Sequence, residues 1–334
     1  MNIVIPMAGM GKRMRPHTLS IPKPLIPIAG KPIVQRLVED IAKVCNAPIN
    51  EIAFIVGHFG QETEDKLHQI AASVGAKAVI CYQEEALGTA HAILCAKASL
   101  KGNVVVAYAD TLFKANFVLD PSQDSIIWVQ KVENPNAFGV VKLNEAGQIT
   151  DFVEKPTTWI SDLAIIGIYY FKDGENLKNE LQYLIDNQIT VKDEYQLTDA
   201  LENMRNKKLG FVPGQVSEWL DCGNKEATVQ TNQRYLEYIK DTDLVDASAK
   251  IINSVLIPPV YLGANVVIEN AVIGPHVSVG AGTKILDSVI KNAIIQENSL
   301  VENANIANSM IGNFVQFKGK TSDLSVGDYN VITL

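Results

Sequence analysis

The chain has 334 residues, 47% of them hydrophobic, with 29 lysines and arginines against 37 aspartates and glutamates. The net charge of -8 argues against a protein that binds nucleic acids or membrane surfaces through a broad basic surface. There is no apolar stretch of the roughly 20 residues that span a bilayer, and no leader pattern at the start. A chain of this length is expected to form two domains.

The four cysteines, Cys45, Cys81, Cys95 and Cys222, show no CxxC spacing and lie in apolar or turn contexts. Such thiols are typical of reduced, structural cysteines. We therefore expect a cytoplasmic protein that has no nucleic-acid or membrane partner.

A basic segment follows the first apolar run, Ile3–Ile5. Five basic side chains, from Lys12 to Lys31, come after Gly9-Met10-Gly11 and before the first acidic residue, Glu39. Backbone N–H groups of a glycine loop can approach phosphate oxygens closely, and arginine and lysine neutralise their charge. The prolines that flank Lys23 restrict the backbone and lower the entropic cost of holding the cation. The segment therefore predicts a polyphosphate site.

Two better-known phosphate motifs do not match this segment. A dinucleotide fingerprint needs a third glycine where Met14 stands, and the glycine spacing of a P-loop is absent. The remaining alternative is a tight strand-to-helix turn with a solvated basic face.

Strand and helix patterns alternate along the first 240 residues. Strands are predicted at 2–7, 52–56, 78–82, 103–109 and 163–171, and helices at 32–44, 61–74, 89–99, 175–187, 195–205 and 225–240. Pro32 is expected at the first position of its helix. A hairpin is predicted within 138–155, turning near Ala146-Gly147. The alternation predicts an α/β domain with a mainly parallel sheet and helices on both faces.

From about residue 245, single aliphatic residues recur at a short stride. Leu262, Ile268, Ile273, Val279 and Ile285 are separated by 6, 5, 6 and 6 residues. This spacing fits neither an α-helix nor an amphipathic strand, but it is typical of hexapeptide repeats, three of which form one triangular coil. We predict a left-handed parallel β-helix over 245–334, with these side chains in a shared core.

The last part of this region is less regular. We expect Phe314, Phe317 and Leu324 to close the core or to contact a second copy of the chain, because an open end would expose strand edges and apolar side chains. The chain is therefore expected to form a homo-oligomer.

Short motifs follow one another in a fixed order over residues 1–235. They are Gly9-x-Gly11-x-Arg13-Met14, the segment PKPLIPIAGKPI, Gln83 with Leu87-Gly88-Thr89-Ala90, Tyr108-Ala109-Asp110, Phe138-Gly139-Val140-Val141, Glu154-Lys155-Pro156, Ile166-Gly167-Ile168-Tyr169 and Trp219-Leu220-Asp221-Cys222-Gly223. In this order they resemble the sugar-nucleotide pyrophosphorylases, in particular the glucose-1-phosphate thymidylyltransferases and uridylyltransferases. The resemblance implies a Rossmann-like nucleotidyltransferase domain over 1–240 with a mixed, mainly parallel sheet. A hexapeptide domain often follows in that family.

The resemblance also implies an activity. Such enzymes condense a nucleoside triphosphate with a sugar-1-phosphate, using Mg²⁺, and release pyrophosphate. It favours dTTP or UTP with glucose-1-phosphate, because Gln83 suits a pyrimidine edge and Glu154-Lys155-Pro156 has the glucose-type arrangement. The short loop around Lys12 resembles the uridylyltransferase branch. GTP with mannose-1-phosphate, a bifunctional enzyme whose β-helix transfers an acetyl group, and a non-catalytic regulatory relative are the alternatives.

The family's functional positions fall on fifteen residues of this chain. The resemblance implies that Arg13 and Lys23 are catalytic; that Ala8, Gly9, Gly11, Lys12, Gln83, Gly88 and Thr89 bind the nucleotide; that Gly139, Glu154, Lys155 and Gly167 bind the sugar phosphate; and that Asp110 and Asp221 hold the metal. From the residues alone, Asp110 and Asp221 are equally well explained as turn residues, and Glu154-Lys155 as a solvated hairpin end. Tyr169 and Trp219 belong either to the sugar pocket or to the core.

Overall fold

The computed structural model describes residues 1–320, which fall into two compact units. The first unit comprises residues 1–26 and 31–227, and the second comprises residues 27–30 and 228–320. Within residues 1–320, every helix is too short or too polar to cross a membrane.

The helices and strands are numbered in chain order. The helices are α1 (Ile33–Cys45), α2 (Gln61–Ser73), α3 (Thr89–Leu94), α4 (Gly174–Asp186), α5 (Leu197–Asn206) and α6 (Lys225–Ile239). The strands before α6 are β1 (Asn2–Pro6), β2 (Pro27–Ile28), β3 (Lys31–Pro32), β4 (Glu51–Val56), β5 (Lys77–Tyr82), β6 (Val104–Ala107), β7 (Thr111–Lys114), β8 (Ser125–Lys131), β9 (Gly139–Leu143), β10 (Ile149–Glu154), β11 (Leu163–Phe171), β12 (Phe211–Gln215) and β13 (Glu218–Asp221). The strands after α6 are β14 (Lys250–Ile252), β15 (Val255–Leu256), β16 (Val260–Leu262), β17 (Val267–Glu269), β18 (Val272–Ile273), β19 (Val277–Val279), β20 (Lys284–Leu286), β21 (Val289–Ile295), β22 (Leu300–Glu302), β23 (Asn305–Ile311) and β24 (Gln316–Lys318).

The first unit is built on a nine-stranded mixed sheet. Seven of its strands follow the order β10-β9-β11-β6-β1-β4-β5, and β8 joins β11 to β12. The strands β6, β1, β4 and β5 run parallel, whereas β11 is antiparallel to β6. The order of these strands places the carboxyl ends of β1 and β6 side by side, which is where ligands bind in open α/β sheets.

Several predicted helix boundaries differ from the structure by one or two residues, and the largest difference is at α3. Helix α3 ends at Leu94 instead of residue 99, because from Ala96 on the backbone N–H groups bond to the carbonyl three residues earlier, as Ala96 does to Ile93. Pro32 precedes helix α1 in an extended conformation, with φ -51° and ψ 144°. The predicted hairpin is present, with β9 and β10 paired antiparallel across the turn.

The second unit contains a parallel β-helix, as predicted. Its strands stack at intervals of one coil, so that Lys250 pairs with Val267, Val267 with Lys284, Lys284 with Leu300, and Leu300 with Gln316. One coil therefore takes 17 residues in the first two steps and 16 in the next two, since 267 - 250 = 17 and 300 - 284 = 16. This interval is slightly shorter than three full hexapeptides.

The predicted core of the β-helix is also confirmed. All five aliphatic residues of the sequence repeat, Leu262, Ile268, Ile273, Val279 and Ile285, are fully buried in one cluster. At the far end, by contrast, Phe314 is 76% exposed and Phe317 is 41% exposed. Leu324 lies outside the described residues.

The corners of the β-helix depend on residues with a left-handed backbone. Asn253, Asn270, Asp287 and Asn303 occupy successive levels of one corner, with φ between 45° and 53°. Asn253 Nδ2 donates to Asn270 Oδ1 at 2.7 Å. Asparagine and aspartate tolerate this conformation better than other residues with a side chain.

A short segment from the start of the chain belongs to the second unit. The Ala29 N–H donates to Asn232 Oδ1 at 2.8 Å, and the same oxygen accepts from Ser278 Oγ at 2.8 Å. Asn232 is fully buried on α6. Residues 27–30 are therefore held by α6 and the β-helix, and this segment begins four residues after Lys23.

Candidate active site

One cavity of the first unit, with a volume of about 960 Å³, is lined by every residue that the sequence analysis selected. These residues are Ala8, Gly9, Gly11, Lys12, Arg13, Lys23, Gln83, Gly88, Thr89, Asp110, Gly139, Glu154, Lys155, Gly167 and Asp221. They come from at least six separate segments of the chain. The cavity lies at the carboxyl ends of β1 and β6, which carry Ala8 and Asp110 into it.

The basic loop packs tightly against the segment that carries Lys23. Gly11 has a left-handed backbone with φ 56°, and a Cβ at this position would lie 3.0 Å from both Lys23 Cβ and Thr18 Cγ2. The Thr18 hydroxyl donates to the Gly11 carbonyl at 2.9 Å. Beside Gly9, by contrast, a Cβ would meet no protein atom within 4 Å. The backbone at Gly9 therefore borders open space in which a phosphate has room.

Two carboxylates meet at the floor of this loop. Strand β13, which ends at Asp221, pairs with β7 so that Asp221 lies opposite Thr111, the residue after Asp110. The Cys222 N–H donates to the Asp110 carbonyl at 2.9 Å, which fixes this approach. Lys23 Nζ contacts Asp110 Oδ2 at 2.8 Å, and its side chain is 9% exposed.

Asp221 interacts electrostatically with Asp110 and with two nearby cations. Burial raises the pKa of Asp221, and the Asp110 carboxylate raises this pKa further. The Gly223 N–H, Lys23 and Arg13 act in the opposite direction on the same pKa. The Asp110 and Asp221 carboxylates are therefore close enough to repel each other, an arrangement that a cation between them would relieve.

The residues expected to hold the base lie at the end of β5 and the start of α3. Gln83 is anchored by its backbone N–H, which donates to Val56 O at 2.9 Å. Gly88 has φ 109°, and a Cβ here would lie 2.5 Å from Tyr195 O and 2.6 Å from Tyr195 N. The close packing of Tyr195 is thus sufficient to require glycine at this position, independently of the nucleotide-binding role that the resemblance implies for Gly88.

The residues expected to hold the sugar phosphate lie on the other side of the cavity. Gly139 and Glu154 face each other as partners in the β9–β10 hairpin, and the Lys155 N–H donates to Phe138 O at 3.1 Å. Lys155 Nζ lies 3.8 Å from Glu154 Oε1. Burial raises the pKa of Glu154; Lys155 lowers it and Asp199 raises it.

Comparisons with known proteins agree with this geometry. The family model described as "Nucleotidyl transferase" matches residues 3–238. The chain belongs to the nucleotidyl transferase family. It is 30% identical to the low-salt glycan biosynthesis nucleotidyltransferase Agl11 of Haloferax volcanii, over 92% of this chain and 91% of that protein. It is 26% identical to glucose-1-phosphate thymidylyltransferase of Streptomyces griseus, over 95% of this chain and 93% of that protein.

A solved structure shows the same relationship for the first unit. The crystal structure of UDP-glucose pyrophosphorylase with UDP-glucose superposes with a TM-score of 0.57 at 26% identity. The match covers 71% of this chain and 98% of the other. Membership of the nucleotidyl transferase family and its sheet architecture, both predicted from the motifs, are thus confirmed.

Several residues line the cavity of this nucleotidyltransferase without having been selected from the sequence. Glu194, Gln196 and Thr198 approach it from the start of α5. Three hydrogen bonds bring this segment in: the Tyr195 N–H donates to Leu87 O, the Ala90 N–H to Tyr195 O, and the Leu197 N–H to Thr89 Oγ1. No spacing pattern in the sequence marks a contact between segments more than 100 residues apart.

The two aromatic residues left open by the sequence analysis both line the cavity. Tyr169 is 4% exposed, and burial holds its pKa well above the usual range. Trp219 packs edge-on against Phe138, with ring centroids 4.9 Å apart. Tyr169 is therefore both a core residue and a wall of the cavity, whereas the half-buried Trp219 is a wall residue.

The donor set of this site suits magnesium better than a transition metal. Within residues 1–320 no group of three or more His, Cys, Asp or Glu side chains could hold a metal ion by itself. Asp110 and Asp221 supply two carboxylates in an open cavity. Mg²⁺ is commonly bound by one or two carboxylates and completes its octahedron with water and substrate phosphates.

Proposed function

We propose that this nucleotidyltransferase transfers a nucleotidyl group from UTP or dTTP to glucose-1-phosphate and releases pyrophosphate. The observation that carries the proposal is the convergence of Arg13, Lys23, Asp110 and Asp221 in one cavity. Nucleotidyl transfer needs little covalent chemistry from the protein, but it needs reactants in line and compensation of their negative charge. These four side chains provide two cations and two metal ligands for that task.

The residues then have the following roles. A phosphate oxygen of the sugar-1-phosphate attacks the α-phosphorus of the triphosphate, and the bond to pyrophosphate breaks on the opposite side. Arg13 and Lys23 stabilise the charge on the α-phosphate and the leaving group, because both stand beside the glycine loop. Lys155 orients the attacking phosphate, and Glu154 accepts hydrogen bonds from sugar hydroxyls. No enzyme nucleophile takes part.

Asp110 and Asp221 would hold Mg²⁺, which when bound neutralises phosphate charge and orients the phosphate oxygens. The repulsion between the two carboxylates supports this role, since their proximity is unfavourable without a cation. Lys23 Nζ contacts Asp110 in this structure, and it would bind a phosphate oxygen once Mg²⁺ replaces it on the carboxylate.

The choice of base and sugar rests on Gln83 and on the relatives. An amide beside an exposed backbone suits the N3–H and O4 edge of uracil or thymine. The thymidylyltransferase and the UDP-glucose enzyme named above both have names that point to a pyrimidine nucleotide and glucose. GTP with mannose-1-phosphate is the alternative that a test must include.

The β-helix offers little support for a second, acetyl-transferring activity. His276, the histidine in its described part, has Nε2 2.6 Å from Glu237 Oε1 and is therefore engaged with α6. A general base for acyl transfer must reach its substrate. We propose instead that the β-helix serves stability and assembly. The predicted homo-oligomer, the cytoplasmic location and the functional division near residues 240–245 stay predictions.

The test is pyrophosphate release in a matrix of UTP, dTTP, GTP, ATP and CTP against glucose-1-phosphate, mannose-1-phosphate and N-acetylglucosamine-1-phosphate, with and without Mg²⁺. We expect turnover only with Mg²⁺ and the highest kcat/KM for UTP or dTTP with glucose-1-phosphate. A preference for a purine triphosphate would overturn the base assignment. Release of pyrophosphate without any sugar-1-phosphate would overturn the reaction itself.

A further inference from the structure

The amide of Gln83 has a fixed orientation in this structure. Its Nε2 lies 3.5 Å from Gly88 O and 3.3 Å from His91 Nδ1. A backbone carbonyl only accepts hydrogen bonds, so the amide nitrogen, not the oxygen, must face Gly88. The two contacts use both N–H groups of the amide. Within residues 1–320, no protein donor bonds to Gln83 Oε1, and Gln83 lines the cavity.

His91 is well placed to maintain this orientation. It lies on α3, two residues after Thr89, and it does not itself line the cavity. To accept from Gln83 its Nδ1 must carry no proton, so the proton of the neutral ring is on Nε2. His91 Nδ1 lies 3.3 Å from Gln83 Nε2, whereas Gly88 O lies 3.5 Å from it. The histidine is therefore the closer of the two acceptors.

We infer that His91 is a positioning residue for base selection: it accepts a hydrogen bond from Gln83 Nε2 and so presents Gln83 Oε1 to the base. This inference rests on the proposed use of UTP or dTTP. Uracil and thymine carry an N–H at ring position 3, which donates to such an oxygen. Cytosine carries a lone pair there, which the oxygen repels.

The consequence is a discrimination that Gln83 cannot provide alone. An amide that is free to rotate by 180° offers the base an acceptor in one orientation and a donor in the other, and it would accommodate either pyrimidine. A site built to bond one pattern rejects the opposite pattern because its buried polar atom is left unpaired. His91 thus converts an ambiguous side chain into a selective one.

A matched pair of variants tests this inference. In His91→Asn, Oδ1 takes the place of imidazole Nδ1 and keeps the acceptor. In His91→Leu, a methyl group takes that place, with similar branching and no acceptor. Each is compared with the wild type for KM and kcat with UTP, dTTP and CTP, and for melting temperature.

We expect His91→Leu to raise the KM for UTP and dTTP about 3- to 10-fold, the range of one net hydrogen bond. The UTP-to-CTP ratio of kcat/KM should fall by a similar factor, with kcat nearly constant. His91→Asn should retain the wild-type ratio. A ratio that is unchanged in His91→Leu, or reduced equally in both variants, would overturn the inference, because a purely structural role affects all nucleotides alike.

A second measurement needs no variant. The ¹⁵N chemical shifts of the His91 ring in the wild-type protein near pH 7.5 should show an unprotonated Nδ1 and a protonated Nε2. The opposite tautomer would overturn the inference even if His91→Leu failed to fold. If the wild type shows no turnover with UTP or dTTP, the proposed function fails and this inference with it; if it uses them and the ratio does not respond, only this inference fails.

Discussion

The two units of this protein bring residues together in opposite ways. In the β-helix, a core residue meets partners one coil away, 16 or 17 residues along the chain, as Ile268 meets Ile285. In the first unit, Asp110 meets Asp221, and Gly139 meets Glu154 only because strands of a mixed sheet and a hairpin bring them into register. The repeating unit therefore reveals its core through spacing alone, whereas the active site depends on crossovers between distant strands.

This contrast predicts that changes in the two units have separable effects. A change at the cavity should remove turnover and leave the folded state intact, because the side chains there face open space. A change in the β-helix core should reduce stability and leave kcat unchanged. Each of the following experiments can break or sharpen that separation.

The largest effect is expected from Asp110→Asn and Asp221→Asn. Loss of one carboxylate removes a proposed Mg²⁺ ligand, and metal stabilisation of phosphate charge amounts to several kcal/mol, so turnover should fall on the order of 10³-fold or more. Without Mg²⁺, the melting temperature of Asp221→Asn should not decrease, since this variant removes a buried, repelled charge. Asp110→Asn should melt somewhat lower, because it also breaks the ion pair with the buried Lys23. Steady-state kinetics and thermal melts measure both, with Asp241→Asn on an exposed carboxylate as the control. Wild-type turnover in either variant would exclude that carboxylate from the mechanism.

Arg13→Ala comes next. Loss of one donor to the transition state usually reduces kcat on the order of 10²–10³-fold. We expect this loss in kcat, with the KM for sugar-1-phosphate little changed, because we propose that Arg13 acts on the triphosphate. If kcat is unchanged and only the KM for the triphosphate rises, Arg13 contributes to ground-state binding alone.

Ile285→Ala tests the expectation that a change in the β-helix core reduces stability and leaves kcat unchanged. Ile285 is fully buried in the β-helix core, and truncation to alanine in a core costs about 2–5 kcal/mol of unfolding free energy. Its strand neighbour Lys284 is exposed, so Lys284→Ala serves as the matched control on the same strand. Chemical denaturation should show the loss for Ile285→Ala only. A large fall in kcat below the melting transition would mean that the β-helix also supports the active site.

The structure offers an explanation for a fall in kcat in Ile285→Ala. Residues 27–30 belong to the second unit, where Asn232 accepts from both Ala29 and Ser278. Lys23 precedes this segment by only four residues. A dependence of kcat on the β-helix would therefore point first to this anchor, and Ser278→Ala would reproduce it.

A smaller, pH-dependent effect is expected at Glu154. Its pKa is raised mainly by burial, so the ionised form costs folding free energy at neutral pH, and this cost disappears as the pH falls through the raised pKa. In Glu154→Gln we expect a slightly higher melting temperature at pH 7 and no gain in acid. The KM for sugar-1-phosphate should rise roughly tenfold or more, as for one hydrogen bond to a charged group.

The wild type should lose affinity for sugar-1-phosphate on the acid side at a pH above the usual range of a glutamate. Glu154→Gln should lack this acid limb. Glu133→Gln makes the same chemical change on an exposed carboxylate and should keep the wild-type profile. A profile that is identical in the wild type and Glu154→Gln would remove Glu154 from sugar binding.

The smallest effect concerns one corner of the β-helix. Asn270 has φ 50° and accepts a hydrogen bond from Asn253. Asn270→Ala should cost about 1–2 kcal/mol because alanine is strained in the left-handed conformation. Asn270→Gly loses the same side chain without the strain and should cost less. Equal losses in the two variants would show that the hydrogen bond, not the backbone, decides the stability of the corner.

The sequence by itself determined the family, the six helices and most strands of the central sheet, fifteen of the residues that line the cavity, and the core of the β-helix. The core could be predicted because Leu262 to Ile285 repeat at the interval of one β-helix face, so local spacing and spatial contact coincide. The cavity residues could be predicted because their motifs resemble those of a known family, in which the same segments meet.

Tertiary structure alone decided the contacts that have no local signal. Glu194, Gln196 and Thr198 enter the cavity because Tyr195 pairs with the loop at Leu87, and the packing of Tyr195 also requires glycine at position 88. The orientation of Gln83 depends on His91, and the end of helix α3 depends on a change in hydrogen-bond spacing. Each of these features results from chain segments that meet only after folding, and their free energy depends on distances that the linear sequence does not contain.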